Sequence, residues 1–208
     1  MLDGRLRPLI DPSLNRCGRA LAARGIGADA VTLGGFLAGL LAMLAVALEA
    51  YAVGLGLLLV NRLADGLDGA VARHTRLTDL GGFLDIVLDF IVYAGMVFAF
   101  ALADPERNGL AAAFLLFAFM GTGSSFLAFA IMAAKRGLST ARRGAKSLYY
   151  LGGLTEGTET ILFLVLACLL PGRFPVLAFL FGALCWLTTL GRVLSGYQLL
   201  GDGGEDPA

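Results

Sequence analysis

Residues 65–89 read DGLDGAVARHTRLTDLGGFLDIVLD and set charged side chains between two strongly apolar segments. The segments cover residues 52–72 and 81–103, and each is long enough for one membrane crossing, because a helix needs roughly 20 residues to span the hydrocarbon. An aspartate at the centre of a membrane helix costs roughly 2.5–3.5 kcal/mol on insertion scales, so a cluster of aspartates requires a strong counter-charge. The stretch therefore predicts a helical hairpin that carries a site. Its aspartates at helical spacings are Asp65, Asp68, Asp85 and Asp89.

The composition of the whole chain favours a membrane protein. Of its 208 residues, 58% are hydrophobic and 15% are charged, whereas soluble domains are roughly 45–50% apolar. The formal net charge is zero, which argues against a nucleic-acid partner. The three cysteines lie far apart in the sequence, which argues against a structural zinc site and a disulfide framework. Cys168 and Cys185 are predicted to fill apolar space in membrane helices.

The hydropathy pattern predicts an all-α integral membrane protein with about six transmembrane helices. Arginines and leucines alternate before the first span, which predicts an N-terminal amphipathic helix on the membrane surface. We divide the chain into an amphipathic juxtamembrane segment (1–28), a six-helix membrane domain (29–200) and a polar C-terminal tail (201–208), predicted to be disordered. The apolar spans lie at 30–49, 52–72, 81–103, 108–134, 150–170 and 174–199.

The placement of basic residues predicts the orientation in the membrane. With the N-terminus in the cytoplasm, that side collects five N-terminal arginines and seven later lysines and arginines, twelve in all. The opposite side collects only Arg107 and Arg173. Under the positive-inside rule, both termini and the aspartate hairpin face the cytoplasm, at the inner (plasma) membrane of a bacterial-type cell.

The aspartates fall on helical stripes that can face each other across the hairpin. Asp65 and Asp68 lie on one stripe of the second crossing, and Asp85 and Asp89 lie one turn apart on the third. Carboxylates from two helices can close around one or two divalent cations, because hard cations prefer carboxylate oxygens and can also bridge phosphates. The spacing therefore predicts a metal-assisted phosphate site.

Two glycines and an arginine accompany the carboxylates. Gly69 and Gly81 leave room for a ligand to approach the backbone, and Arg73 presents a planar fork of donors suited to phosphate. No GxxxxGK[ST] sequence occurs, so a Walker loop is excluded. The alternative is a structural ion network, but only Arg62, Arg73 and Arg76 lie near the four carboxylates. Arg62 is expected to neutralise an aspartate rather than to touch substrate.

These residues form one ordered pattern, Asp65-x-x-Asp68-Gly69-x-x-Ala72-Arg73 followed by Gly81-x-x-x-Asp85-x-x-x-Asp89. The pattern resembles the signature of the CDP-alcohol phosphotransferase (CDP-alcohol phosphatidyltransferase) family. The segment between Arg73 and Gly81 is one residue shorter than in the family pattern, which affects the loop and leaves every signature residue in place. The resemblance implies a membrane enzyme of phospholipid synthesis that uses an alcohol to displace CMP from a CDP-linked lipid. It also implies Mg²⁺ or Mn²⁺ as cofactor and a homodimer.

Matching positions assign a role to each residue of the pattern. The resemblance implies that Asp89 is the base toward the acceptor hydroxyl. It also implies that Gly69, Arg73 and Gly81, with Asp65 and Asp68, line the CDP site. The donor would be a lipid such as CDP-diacylglycerol, and the identity of the small alcohol acceptor stays open. The implied metal ligands are Asp65, Asp68, Asp85 and Asp89.

Two alternative functions use the same carboxylates. An aspartate-motif membrane prenyltransferase binds diphosphate. That class carries two well-separated aspartate motifs, whereas these aspartates lie within one short stretch. A cation transporter would need a polar path to the far side, and the outer halves of the second and third crossings offer none. Further along the chain, Glu156, Glu159 and Arg192 are predicted either to line the acceptor site or to pair for structure.

Overall fold

The computed structural model describes residues 3–136 and 153–201, with side chains for 11–136 and 153–200, and this part of the chain contains helices and no strands. A 3-10 turn, Pro171–Arg173, precedes the last helix. The helices are α1 (Asp3–Ala23), α2 (Ala28–Ala47), α3 (Tyr51–His74), α4 (Asp79–Ala103), α5 (Pro105–Lys135), α6 (Gly157–Leu169) and α7 (Phe174–Gly201).

The helices confirm the prediction of an all-α membrane protein. Four are long and apolar enough to cross a membrane: α2, α4, α5 and α7 with its preceding turn. Helix α3 has 24 residues and carries Arg62, Asp65, Asp68 and Arg73. The apolar α6 has 13 residues. Each predicted span coincides with one of α2 to α7, although residues 150–152 of the fifth span lie outside the described residues. Residues 202–208 of the predicted tail lie outside them as well.

Side-chain caps explain where the helices of the hairpin region begin. The Thr78 hydroxyl accepts a hydrogen bond from the Gly81 amide (3.0 Å) and starts α4 immediately after the short link at residues 75–78. The Asp104 carboxylate accepts from the Arg107 amide (3.1 Å), and Pro105 occupies the first turn of α5. Both arrangements satisfy amides that a helix N-terminus leaves unpaired.

The apolar core fills the part of the bundle beyond the aspartates. Phe100 of α4 stacks on Phe174 of α7, with ring centroids 4.5 Å apart, and on Tyr51 of α3, at 5.7 Å. Cys168 and Cys185 are free and buried in this core, as predicted. The exposed surface is rich in leucine and phenylalanine, which is the surface that a bundle offers to lipid tails.

Helix α2 packs closely against its neighbours because glycines face them. A Cβ atom on Gly35 would lie 2.6 Å from the Cβ of Ala64 on α3, and one on Gly39 would lie 2.8 Å from Val92 Cγ2 on α4. A methyl group cannot fit at either distance unless the neighbouring residue shifts. Small residues therefore bring the α2 backbone into the region where the aspartates lie.

This packing predicts opposite outcomes for two adjacent glycines of α2. We expect Gly35→Ala to lower the free energy of unfolding by about 1–3 kcal/mol, because overpacking displaces α3. Gly34→Ala is the matched control: a Cβ atom on Gly34 would have nothing within 4 Å, so the change should be neutral or stabilising by up to about 1 kcal/mol. Reversible unfolding in mixed micelles measures both. Equal effects of the two substitutions would contradict the close approach.

Candidate active site

The four aspartates of the hairpin line one pocket between α2, α3 and α4. Helix α3 contributes Asp65 and Asp68, and α4 contributes Asp85 and Asp89. The link at residues 75–78 is short, and both α3 and α4 pack against α2. The other residues that line the pocket are Thr32, Gly35, Phe36, Asn61, Arg62, Leu88 and Val92.

Asp89 has both carboxylate oxygens in contact with donors. Its Oδ1 lies 2.8 Å from Nη2 of Arg62, and its Oδ2 accepts a hydrogen bond of 3.1 Å from the Tyr93 hydroxyl. The side chain is 27% exposed, so it also reaches the open part of the pocket. Two fixed donors hold the orientation of the carboxylate.

Arg62 lies among the carboxylates with its side chain only 8% exposed. Its Nε and Nη2 donate to Oδ1 of Asn61 (2.8 and 2.6 Å), and its Nη1 donates to the Tyr93 hydroxyl (2.8 Å). Nη1 also lies 3.9 Å from Oδ2 of Asp65. The expectation that Arg62 neutralises an aspartate is therefore confirmed, with Asp89 as its close partner.

Asp68 is 7% exposed and makes its contact across the pocket, to α2. The hydroxyl of Thr32 donates to its Oδ2 at 2.6 Å. Asp85 is the more exposed carboxylate on the first turns of α4. Asp68 and Asp89 thus contact different donors, Thr32 of α2 and Arg62 of α3.

The chemistry of the donor set fits a hard divalent cation, although the side chains stand apart. Four carboxylates line one pocket, and oxygen ligands of this kind suit Mg²⁺ and Mn²⁺. Within residues 3–136 and 153–201, no three His, Cys, Asp or Glu side chains stand close enough together to hold a metal ion in their present positions. Their partners explain the separation of these side chains. Asp89 is oriented toward Arg62, whereas Asp68 is oriented toward Thr32.

The other three predicted site residues lie beside the pocket and do not line it. The guanidinium of Arg73 is exposed and donates from Nε and Nη2 to Oδ1 of Asn15 (3.1 and 2.9 Å), which joins α3 to the surface helix α1. A Cβ on Gly69 would lie 3.7 Å from Nη1 of Arg73. Gly81 gives its amide to Thr78 at the start of α4. All three lie at the same end of the hairpin.

The sequence did not single out Thr32 and Asn61, which line the pocket, or Tyr93, which contacts Arg62 and Asp89. A signal existed for Tyr93, which follows Asp89 by one helical turn and so shares its face. Asn61 directly precedes Arg62 and donates to the Gly35 carbonyl (2.8 Å). Thr32 lies 36 residues from Asp68 in sequence and reaches it only through the packing of α2 on α3.

The polar residues near α6 and α7 make structural contacts. Glu156 and Glu159 form a capping box at the start of α6, in which the Glu156 amide donates to Oε2 of Glu159 (3.1 Å). Arg192 is buried and donates to the Thr122 carbonyl of α5 (3.0 Å). This corner adjoins the aspartate pocket, since a Cβ on Gly157 would lie 3.9 Å from the Tyr93 hydroxyl.

Comparison with known proteins identifies relatives along the whole length of the chain. It is 58% identical over 200 residues to the inner membrane protein YnjF of Escherichia coli, covering 96% of this chain and 97% of that protein. It is 29% identical over 197 residues to the archaetidylinositol phosphate synthase of Pyrococcus horikoshii, covering 94% and 97%.

A solved structure shares the fold. The phosphatidylinositol phosphate synthase of Mycobacterium tuberculosis, solved with CDP-DAG bound, superposes with a TM-score of 0.66 at 20% identity, covering 88% of this chain and 93% of that one. The family model for CDP-alcohol phosphatidyltransferase matches residues 26–193, which include every helix that lines the aspartate pocket. The chain therefore belongs to the CDP-alcohol phosphatidyltransferase family and is a phosphotransferase for substituted phosphate groups.

Proposed function

We propose that the protein transfers a phosphatidyl or related phospho-alcohol group from a CDP-linked lipid to an alcohol, with release of CMP. The observation that carries the proposal is the pocket itself, where two helices of a membrane domain present four carboxylates in a chain of this family. The M. tuberculosis protein of the same fold was solved with CDP-DAG bound, which supports CDP-diacylglycerol as the donor. The inner-membrane relative supports the inner membrane as the location.

The orientation and the assembly are part of the same proposal. The basic residues favour a cytoplasmic face for the pocket and both termini, which suits a water-soluble leaving group such as CMP. A homodimer is proposed from the family resemblance.

Asp65, Asp68, Asp85 and Asp89 are the proposed ligands of Mg²⁺ or Mn²⁺. A divalent cation bound there supplies charge neutralisation at the phosphates of the donor, which is the main requirement of phosphoryl transfer. Gly69, Arg73 and Gly81, at the open end of the hairpin, are proposed to border the CDP group. A guanidinium suits phosphate oxygens because its planar fork donates two parallel hydrogen bonds.

Asp89 is the proposed general base. Its position within the pocket is fixed by Arg62 and Tyr93, and its partial exposure lets an alcohol approach. The carboxylate takes the hydroxyl proton, the alcohol oxygen bonds to the lipid-linked phosphorus, and the bond from that phosphorus to CMP breaks. A carboxylate whose orientation is preset loses little entropy when it accepts that proton.

The alternative functions fit the molecule less well. Family membership disfavours a prenyltransferase. Beyond the pocket, the α4 residues Met96, Val97 and Phe100 are fully buried in apolar packing, which does not suit a path for ions.

The first prediction concerns the metal. We expect EDTA to abolish CMP release from CDP-diacylglycerol in the presence of a panel of alcohols, and Mg²⁺ or Mn²⁺ to restore it, because uncompensated phosphates and carboxylates repel each other. Mass spectrometry of the lipid products gives the readout and identifies the acceptor. EDTA saturated with Mg²⁺ is the control for effects of the chelator itself. Full turnover in excess free chelator would rule out the metal mechanism.

The second prediction separates the base from the other carboxylates. Asp89→Asn should retain much of the binding of the CDP-lipid while losing transfer, whereas Asp65→Asn and Asp68→Asn should impair both. Asp79→Asn is the matched control, since Asp79 lies on the exposed first turn of α4 outside the pocket. Turnover of Asp89→Asn within tenfold of wild type, a difference of about 1.4 kcal/mol in barrier, would remove Asp89 as the base.

The third prediction tests Arg73 against its structural contact. Arg73→Lys should raise the KM for the donor more than it lowers kcat, because lysine cannot reproduce the bidentate fork. Asn15→Ala is the matched control, since it removes the Arg73 partner on α1 and keeps the guanidinium. If Asn15→Ala reproduces the full KM effect, Arg73 acts by anchoring α1. If both Arg73→Lys and Arg73→Ala leave KM unchanged, Arg73 does not bind phosphate.

A further inference from the structure

Arg62 places a positive charge between carboxylates of the pocket. Its Nη2 lies 2.8 Å from Asp89 and its Nη1 lies 3.9 Å from Asp65, so one guanidinium faces carboxylates of both helices of the hairpin. The side chain is 8% exposed. An arginine that merely anchored a helix at the membrane surface would extend toward water.

The guanidinium is held in place by residues of three helices. Oδ1 of Asn61 accepts hydrogen bonds from Nε and Nη2, and the amide of Asn61 is itself fixed on the Gly35 carbonyl of α2. Tyr93 of α4 accepts from Nη1, and the guanidinium carbon lies 5.0 Å from the centre of its ring. Arg62 is therefore built into the pocket.

The positive charge of Arg62 affects the binding of any metal ion that enters the pocket. A guanidinium and a divalent cation are both attracted to the oxygens of Asp89 and repel each other, and this repulsion is strong where water is largely excluded. A metal that takes Asp89 as a ligand must therefore displace or share the contact with Arg62. Removal of the charge of Arg62 favours the metal and leaves the metal-free carboxylates uncompensated.

We propose that Arg62 is the resident counter-ion of the aspartate pocket, holding Asp89 in position in the metal-free protein and competing with the divalent cation for that carboxylate. This inference rests on the proposed function, because it takes these carboxylates as the metal site. Arg62 is a positioning residue in this role, because it acts through Asp89. The pair Arg62–Asp89 sets the metal concentration at which the site fills.

Direct metal binding tests the competition without any turnover. The full chain in lipid nanodiscs is titrated with Mn²⁺, and free Mn²⁺ is measured by electron paramagnetic resonance. We expect Arg62→Met to bind Mn²⁺ at least about tenfold more tightly than wild type, because a repelling charge is gone. Arg62→Lys should stay within about threefold of wild type, because it keeps the charge. Arg107→Met, at the exposed start of α5, is the control and should leave the Kd unchanged.

The thermal stability of the metal-free protein tests separately whether Arg62 compensates the charge of the carboxylates. Arg62→Met should lower the Tm in EDTA, because it leaves Asp89 and Asp65 partly buried without their cation. The double variant Arg62→Met/Asp89→Asn should regain part of that loss, because it removes the uncompensated carboxylate. Mn²⁺ should raise the Tm of Arg62→Met by more than it raises that of wild type.

The outcomes separate this inference from the proposed function. An Arg62→Met protein that binds Mn²⁺ no more tightly than wild type overturns the competition, while Mn²⁺ binding by wild type keeps the proposed metal site. A wild-type protein that binds no Mn²⁺ and turns over in EDTA overturns both. If Arg62→Met does not fold, Arg62→Gln answers the question, because it removes the charge and keeps an amide that can donate hydrogen bonds in the pocket. Its Mn²⁺ affinity should rise, and an unchanged affinity would overturn the proposal.

Discussion

The ion pair between Arg62 and Asp89 is the interaction on which the rest of the pocket depends. Charged groups in the membrane part of a bundle are stable only when they are paired and hydrogen-bonded. The pair meets this requirement through Asn61, which is held by the α2 backbone, and through Tyr93, which bridges the two charged groups. One network therefore joins α2, α3 and α4, and the same network sets the position of a carboxylate proposed to act as a base.

The network requires close approach of the helices, and glycine provides it. Gly35 lets α2 contact α3 at Ala64, which brings the Gly35 carbonyl to Asn61 and the Thr32 hydroxyl to Asp68. Beyond this layer the bundle is apolar, with Phe100 stacked between its neighbours. The polar pocket and the apolar core thus occupy successive layers of one bundle, and the end with the aspartates can stay polar because the core beyond it supplies the stability.

Spacing along one helix made part of this structure predictable. Asp65 and Asp68, and likewise Asp85 and Asp89, share a helical face, so the hairpin and its common pocket follow from the sequence. The position of Arg62 one turn before Asp65 predicted that it pairs with an aspartate, but its close partner is Asp89 on α4. Contacts between distant segments did not follow in this way.

The contact of Thr32 with Asp68 depends on how α2 packs, and spacing within one helix carries no information about it. The contact of Arg73 with Asn15 depends on where the surface helix lies. The contact with phosphate that the family pattern implies for Arg73 stays a prediction. The separation of the carboxylates has the same origin, since Asp89 faces Arg62 and Asp68 faces Thr32, two partners that spacing within the hairpin does not reveal. A divalent cation that takes these carboxylates as ligands competes with Arg62 for Asp89 and with Thr32 for Asp68. Asp89 then has two alternative partners, the guanidinium of Arg62 and the proposed metal.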